Sequence, residues 1–276
     1  MGKAHRYNHA IIGNCSYLAY VGIDTSVSWL CWPRPDSSFV FGELIAGEKG
    51  GTFRVVPQGA HTCEQNYITN TNVLSTRLKG EGWEIEVVDY APRFAHHDRF
   101  HRPTQFFRHV RPVKGMPRIS VECDPRGAYG EAKGVALEGS NHITYGGLHV
   151  PLRLTTNASK TRILAGQEFP LTEELYFVLS CGEPFEAPLK ETCDLFLRQT
   201  VRHWQDWVKR TWIPAVFQEE MIRAGLALKI HQYEDAGAVL ASGTMSLPEH
   251  PGSGRNWDYR YCWIRDAYFS LAALNS

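Results

Sequence analysis

The sequence predicts a mainly β fold: a large antiparallel sandwich that gives way to helices near residue 185. Three observations predict it. From about residue 9 to about residue 185, short β-prone runs recur between clusters of Gly, Asn, Asp and Ser. Two of these runs, 73–78 and 83–88, alternate apolar and polar residues on either side of Gly80-Glu81-Gly82, so each buries one face and wets the other. No long helical pattern lies between the runs, which removes the crossovers a parallel sheet needs.

Taken in order, Ala10-Ile11-Ile12-Gly13, Leu18-Ala19-Tyr20-Val21 and Val27-Ser28-Trp29-Leu30 form a predicted meander, with a turn at Ile23-Asp24-Thr25. The runs 52–56, 73–78, 83–88, 105–110, 118–122, 142–145, 150–154 and 175–179 continue it, and strands at this spacing make a sandwich. Near Pro184 the period changes. Leu189 to Arg210 carries Leu195, Phe196, Val201, Trp204, Trp207 and Val208 between polar positions, with Thr192 as candidate cap, and reads as a linker helix. Pro214 interrupts, and Phe217 to Tyr233 repeats the helical spacing through Met221, Ala224, Leu226, Leu228 and Ile230. Residues 237–243 read as a short extended loop, 246–254 as a Pro/Gly turn and Tyr259 to Asn275 as the next helix. The expected divisions are a sandwich domain over 1–187, a linker helix over 188–214 and a helical portion over 215–276.

With 43% hydrophobic and 21% charged residues, a chain of 276 residues buries a sizeable core. Its 29 Lys and Arg balance its 29 Asp and Glu, which gives no electrostatic case for nucleic acid or an anionic membrane surface and suits a neutral polyol ligand. No window has the apolar length of a signal core or a membrane span, so a cytoplasmic protein is expected. The seven cysteines include no closely spaced pair and read as reduced and buried, Cys31 and Cys262 each packing beside a tryptophan. His97 and His101 are four apart, but the polar sequence from His96 to Pro103 reads as a solvated loop rather than a metal site. No metal or organic cofactor is indicated.

The most informative stretch is Arg255-Asn256-Trp257-Asp258-Tyr259-Arg260-Tyr261-Cys262-Trp263-Ile264-Arg265-Asp266. Aromatic faces alternating with fixed charge suit a sugar, because rings stack on its CH faces while Arg and Asp take its hydroxyls. On a helix, Tyr259, Trp263 and Asp266 share one face with Arg265 beside them. The same spacing also fits the buried stripe of an amphipathic helix, continued by Leu271 and Leu274, with Arg265 and Asp266 in a structural ion pair. Glu249 after Leu-Pro reads as ordering its turn, and Asp258 as capping the helix it precedes.

This block resembles the signature that opens the catalytic barrel in bacterial members of glycoside hydrolase family 15, the glucoamylases, glucodextranases and trehalase-like enzymes. Ser246-Leu247-Pro248-Glu249 resembles the same family's preceding block. At the other end, Ile12-Gly13-Asn14-Cys15, then Trp29-Leu30-Cys31-Trp32-Pro33-Arg34 and Asp36-Ser37, resemble its N-terminal pattern, with Pro35, Asn14 and Ser28 standing where Phe, Asp and Asp are usual. The stiff turn around Arg34 is expected to keep its shape without that aromatic contact. The resemblance implies a supersandwich-like β domain followed by the first helices of an incomplete (α/α)6 barrel, and an inverting, exo-acting hydrolase of α-glucosides. It implies that both catalytic glutamates lie beyond residue 276, leaving none in this chain and the chain by itself inactive. By the same likeness Tyr259, Trp263, Arg265 and Asp266 bind the terminal glucose ring, the partner being a small-molecule or oligosaccharide α-glucoside. An incomplete barrel is expected to leave the last helix poorly supported, with Trp257, Trp263 and Leu271 exposed or packed back on the sandwich. A carbohydrate-binding or interaction sandwich without catalysis is the alternative.

Overall fold

The computed structural model describes residues 8–182, 184–185, 187–244 and 254–275. Ser246 to Glu249, with the turn expected there, lie outside the described residues. Two antiparallel sheets face each other. One has seven strands, ordered His9–Gly13, Leu18–Gly22, Val27–Cys31, Phe53–Pro57, Arg118–Cys123 and Phe169–Pro170, with Phe39–Phe41 paired to Val27–Cys31. The other has eight, ordered Val135–Glu138, His142–Gly146, Leu152–Thr156, Leu175–Ser180, Gln105–Lys114, Trp83–Tyr90, Leu74–Gly80 and His61–Tyr67. The core lies between them. Val27, Phe53, Val55 and Val121 meet Ile85, Val87, Phe106 and Phe177 there, and the Phe53 ring sits 6.0 Å from Phe106 and 5.9 Å from Phe177.

Alternation explains which face each strand buries. On Trp83–Tyr90, Ile85 and Val87 enter the sandwich core while Val88 and Tyr90 join a second cluster on the opposite face. Asp89 therefore points into the sandwich, where it holds Arg108 through two bonds of 2.7 and 2.9 Å, both side chains having no solvent exposure. Arg108 also donates to the carbonyl of Phe53 in the facing sheet and to that of Thr25 in the turn between two of its strands, at 3.1 and 2.6 Å, and stacks over the Phe53 ring. A buried ion pair is tolerated where every polar atom is paired, and this one links the two layers.

The outer face of the eight-stranded sheet is covered by the helix Leu189–Arg210, whose bounds equal those the periodicity predicts. Cys193, Thr200, Trp204 and Val208 form its buried stripe, packed on Val88, Tyr90, Phe107 and Val178. Leu195 does not belong to that stripe; it is 43% exposed. Thr192 is not the cap either: Pro188 precedes the helix, and the Thr192 amide already bonds the Pro188 carbonyl at 3.1 Å. The next helix, Gln218–Ile230, is shorter than expected and buries Leu226 and Ile230, with Met221 exposed.

The segment 96–103 is solvated over 96–100, as expected, but it is a hairpin more than a loop. Phe94–His96 and Arg99–His101 form a small hairpin, and Phe94 and His101 pack their rings on Phe196 of the long helix at 5.0 and 5.1 Å. Among the described residues no cysteine is in a disulfide; Cys15, Cys31 and Cys193 are buried, but Cys262 is exposed and does not pack as expected beside its tryptophan.

Candidate functional site

The strand Val27–Cys31 turns its Trp29 and Cys31 side chains away from the sandwich core, where they form an outer cluster with Phe39 and half-buried Tyr20. The stretch after Val239 lies on that cluster: Trp29 Nε1 donates to the Gly243 carbonyl at 2.7 Å. Residues 259–261 are laid alongside, because the Ala241 and Ser242 amides bond the carbonyls of Tyr261 and Tyr259 at 3.1 and 2.8 Å. One outer face of the sandwich thus carries the aromatic and charged block.

Arg260 fixes it there. This side chain is 2% exposed, although it stands in a loop. Its Nη1 donates to the Ser37 carbonyl at 2.6 Å, to the Pro35 carbonyl at 3.4 Å and to Cys31 Sγ at 3.6 Å, while Nη2 reaches Tyr129 Oη at 3.4 Å and Asp258 Oδ2 at 2.8 Å. A planar guanidinium with five donors is the side chain that can satisfy such a ring of oxygens. Burial alone lowers the Arg260 pKa, but the hydrogen bonds to Asp258 and Tyr129 outweigh it and leave the group more firmly cationic than usual. Burial likewise pushes the Asp258 carboxyl up, and the side-chain bond, amide bond and charge of Arg260 together bring it below its ordinary value. Burial takes the Cys31 thiol to about 12, against the opposing pull of Arg260, so it stays protonated and unreactive.

Asp258 does not cap the helix it precedes. Its Oδ1 accepts the Arg260 amide at 3.0 Å, a two-residue turn, and the helix begins later, at Ile264, with the Ala267 amide bonded to the Trp263 carbonyl. Tyr259 therefore lies before the helix instead of on its face. The two rings still meet, Tyr259 and Trp263 having centroids 5.5 Å apart, and Trp263 Nε1 donates back to the Asp258 carbonyl at 3.0 Å. Trp257 packs edge-on against Trp263 at 6.4 Å and is 47% exposed. Arg265 and Asp266 stand in the first turn, paired with each other at 3.1 Å, with side-chain exposures of 71% and 33%. Tyr259 and Trp263 are both half-buried. Five cavities of 310 to 510 Å³ traced among the described residues are lined by other side chains. The one of 390 Å³ between the helices Leu189–Arg210, Gln218–Ile230 and Ile264–Asn275 is lined mainly by apolar side chains, among them Trp207, Ile213, Met221 and Leu228, with Arg210 and Lys229 at its wall and no carboxylate.

The second seam is at Asn14-Cys15-Ser16. Asn14 is fully buried and donates to the carbonyls of Pro92 and Pro103 at 3.1 and 2.8 Å, and its Oδ1 receives the Ser16 amide at 3.1 Å. An amide in place of a carboxylate supplies the two N–H donors those carbonyls need. Beside it, Arg93 donates to the Asn14 carbonyl at 2.9 Å and to both oxygens of Glu234, and Arg102 reaches Ser16 Oγ and Asp235, each at 2.5 Å. Burial raises the Glu234 carboxyl, but Arg93 and then Lys229 pull it below its ordinary value. His203 on the long helix accepts from Arg93 Nε at 3.0 Å, and burial, with Arg93 adding to it, lowers the His203 pKa to about 4.

Both N-terminal motifs are therefore contact surfaces for the chain beyond residue 228. Residues 3–169 match the family described as trehalase-like, N-terminal. The chain belongs to that family. In this trehalase-like chain residues 215–276 also match glycosyl hydrolases family 15, which bears out the likeness carried by the Trp257–Asp266 block. It is 33% identical to a trehalase of Mycobacterium tuberculosis over 90% of its own length and 40% of the relative's. It is 31% identical to a trehalase of Mycolicibacterium smegmatis over 97% and 44%, and 29% identical to a trehalase of Thermoplasma volcanium over 97% and 44%. The trehalase-like chain thus spans less than half the length of these relatives.

Sequence reasoning missed Arg260, Arg93 and Glu234. Asp258 two positions before Arg260 was the local signal for the first; nothing local marks the other two.

Proposed function

We propose that residues 1–187 are the sandwich domain, 188–214 the linker helix and 215–276 the opening of the (α/α)6 barrel of an inverting, exo-acting α-glucoside hydrolase, with trehalose as first candidate substrate. That relatives 33% and 31% identical to the chain are trehalases supports that choice. Trp263 and Tyr259 offer ring faces to the sugar, and Asp266 and Arg265 offer an acceptor and a fork of donors to its hydroxyls. The two glutamates of the reaction lie outside residues 1–276: one gives its proton to the glycosidic oxygen as the C1–O bond breaks, and the other takes a proton from the water that attacks C1 from the opposite face.

The observation that supports this reading is the anchoring of residues 258–261 on the sandwich by Arg260, next to half-buried Trp263 and the solvent-open Arg265–Asp266 pair in the first turn of the last helix. Proton NMR of freshly hydrolysed sugar tests it. With the complete reading frame, inversion at one centre of α,α-trehalose gives one β- and one α-glucose, whereas retention gives two α-glucose molecules. Binding of trehalose without any release of glucose by the complete protein would instead return the non-catalytic module.

A further inference from the structure

The segment Ala128-Tyr129-Gly130 is the one place where two successive non-glycine residues take left-handed backbone among the described residues, with φ of 48° at Ala128 and 55° at Tyr129. Such a conformation costs free energy and persists only where surrounding contacts fix it. The contacts are specific: the Tyr129 amide donates to Ser38 Oγ at 2.9 Å, and its ring meets Phe39 edge-on at 5.8 Å. The result is that the Tyr129 hydroxyl and ring face the Arg260 guanidinium, at 3.4 Å from Nη2 and 5.9 Å from centroid to Cζ. On the other side of the same guanidinium stand the Ser37 and Pro35 carbonyls, from the turn closed by Ser37 N to Arg34 O at 3.1 Å.

We infer that this strained turn and the 35–37 loop form a receptor on the sandwich for Arg260, making Arg260 a positioning residue that sets where Trp263, Arg265 and Asp266 present themselves to the glucoside. The inference rests on the function proposed above and adds to it a role for the sandwich in substrate affinity. Arg260 touches no sugar. It fixes Asp258 through both carboxylate oxygens, Asp258 fixes Trp263 through its carbonyl, and Trp263 opens the helix bearing Arg265 and Asp266. Displacement of a binding group by a fraction of an ångström weakens ground-state and transition-state contacts alike, so the loss falls on KM more than on kcat.

The test uses the complete enzyme with trehalose, or whichever α-glucoside it hydrolyses, at a temperature where circular dichroism shows each variant folded. Arg260→Met is expected to raise KM by about tenfold or more with kcat changed by less than about threefold, and Arg260→Lys, which keeps a charge for the Ser37 carbonyl, to recover part of the loss. Tyr129→Gly guards against misfolding of the first variant, because glycine accepts the left-handed backbone while removing ring and hydroxyl. It is expected to raise KM about threefold without lowering the thermal midpoint. Wild-type KM in Arg260→Met, or in Tyr129→Gly if the former does not fold, alongside lost turnover in Arg265→Ala, overturns the positioning role and leaves the sugar-binding reading intact. Wild-type turnover in both Arg265→Ala and Asp266→Ala removes that reading and this inference with it.

Discussion

Arg93 and Glu234, 141 residues apart in sequence, meet in a two-pronged ion pair of 2.7 and 3.1 Å at the seam between the sandwich and the turn after the helix Gln218–Ile230. Arg93 is 2% exposed, and Glu234 also holds Lys229 at 3.2 Å and Arg102 at 3.3 Å. One carboxylate thus touches three cations, of which Arg102 also pairs with Asp235, while Arg93 ties in the Asn14 carbonyl and His203.

Removing that carboxylate leaves Arg93 charged and buried. Glu234→Ala is expected to destabilise the chain by about 2–4 kcal/mol, somewhat less than a fully buried pair because Glu234 keeps some contact with water. Arg93→Met combined with Glu234→Leu is expected to regain much of the loss. Urea unfolding followed by tryptophan fluorescence gives both numbers.

His203 makes the same seam sensitive to acid. Its folded pKa of about 4 lies below the ordinary 6.5, so the folded state prefers the neutral ring that accepts from Arg93. The associated stability is complete above pH 6.5 and is lost as the pH falls through about 4, because the unfolded state binds the proton first. The expected loss is about 1–2 kcal/mol once solvent screening is allowed for. Chemical denaturation at intervals from pH 7 to pH 4 should show this slope in the wild type and a flatter one in His203→Gln. Equal slopes would remove His203 from the account.

The sandwich has its own buried pair in Arg108 and Asp89. Arg108→Met alone strands an unpaired carboxylate between the sheets and is expected to cost about 3–5 kcal/mol, whereas adding Asp89→Leu restores most of it. Thermal midpoints of the single and double variants decide the matter.

How legible this was in the sequence depended on the range of the interaction. The helix Leu189–Arg210 was legible because its polar and apolar positions alternate at helical spacing between Pro184 and Pro214. Trp83–Tyr90 was legible because Trp83 to Val87 alternate apolar and polar residues, although Val88 and Tyr90 bury the face that was expected to be wet, under the helix Leu189–Arg210. His61–Tyr67 was not, because an edge strand with mostly exposed side chains has no reason to alternate, and its sequence His-Thr-Cys-Glu-Gln-Asn-Tyr does not. The C-terminal block was singled out by composition, yet its reading as one continuous helix failed: Asp258 bonds the amide two residues on and closes a turn, delaying the helix to Ile264. The poor support expected for that helix is visible in Ile264, Tyr268 and Phe269, which are 89, 67 and 63% exposed, while Trp263 packs on Tyr259. The loop around Arg34 keeps an ordered turn with Pro35, as expected, but its contact is polar: the Pro35 carbonyl receives Arg260. No local pattern foretells a partner 225 residues away.

The central claim is that the Trp257–Asp266 block binds the sugar, and glucoside turnover by Arg265→Ala and Asp266→Ala in the complete enzyme tests it most directly. Both side chains are substantially solvent-exposed and paired chiefly with each other, so their removal is expected to leave the unfolding midpoint within about 0.5 kcal/mol of wild type while cutting kcat/KM by about a hundredfold or more. Unchanged kcat/KM in both variants would contradict it.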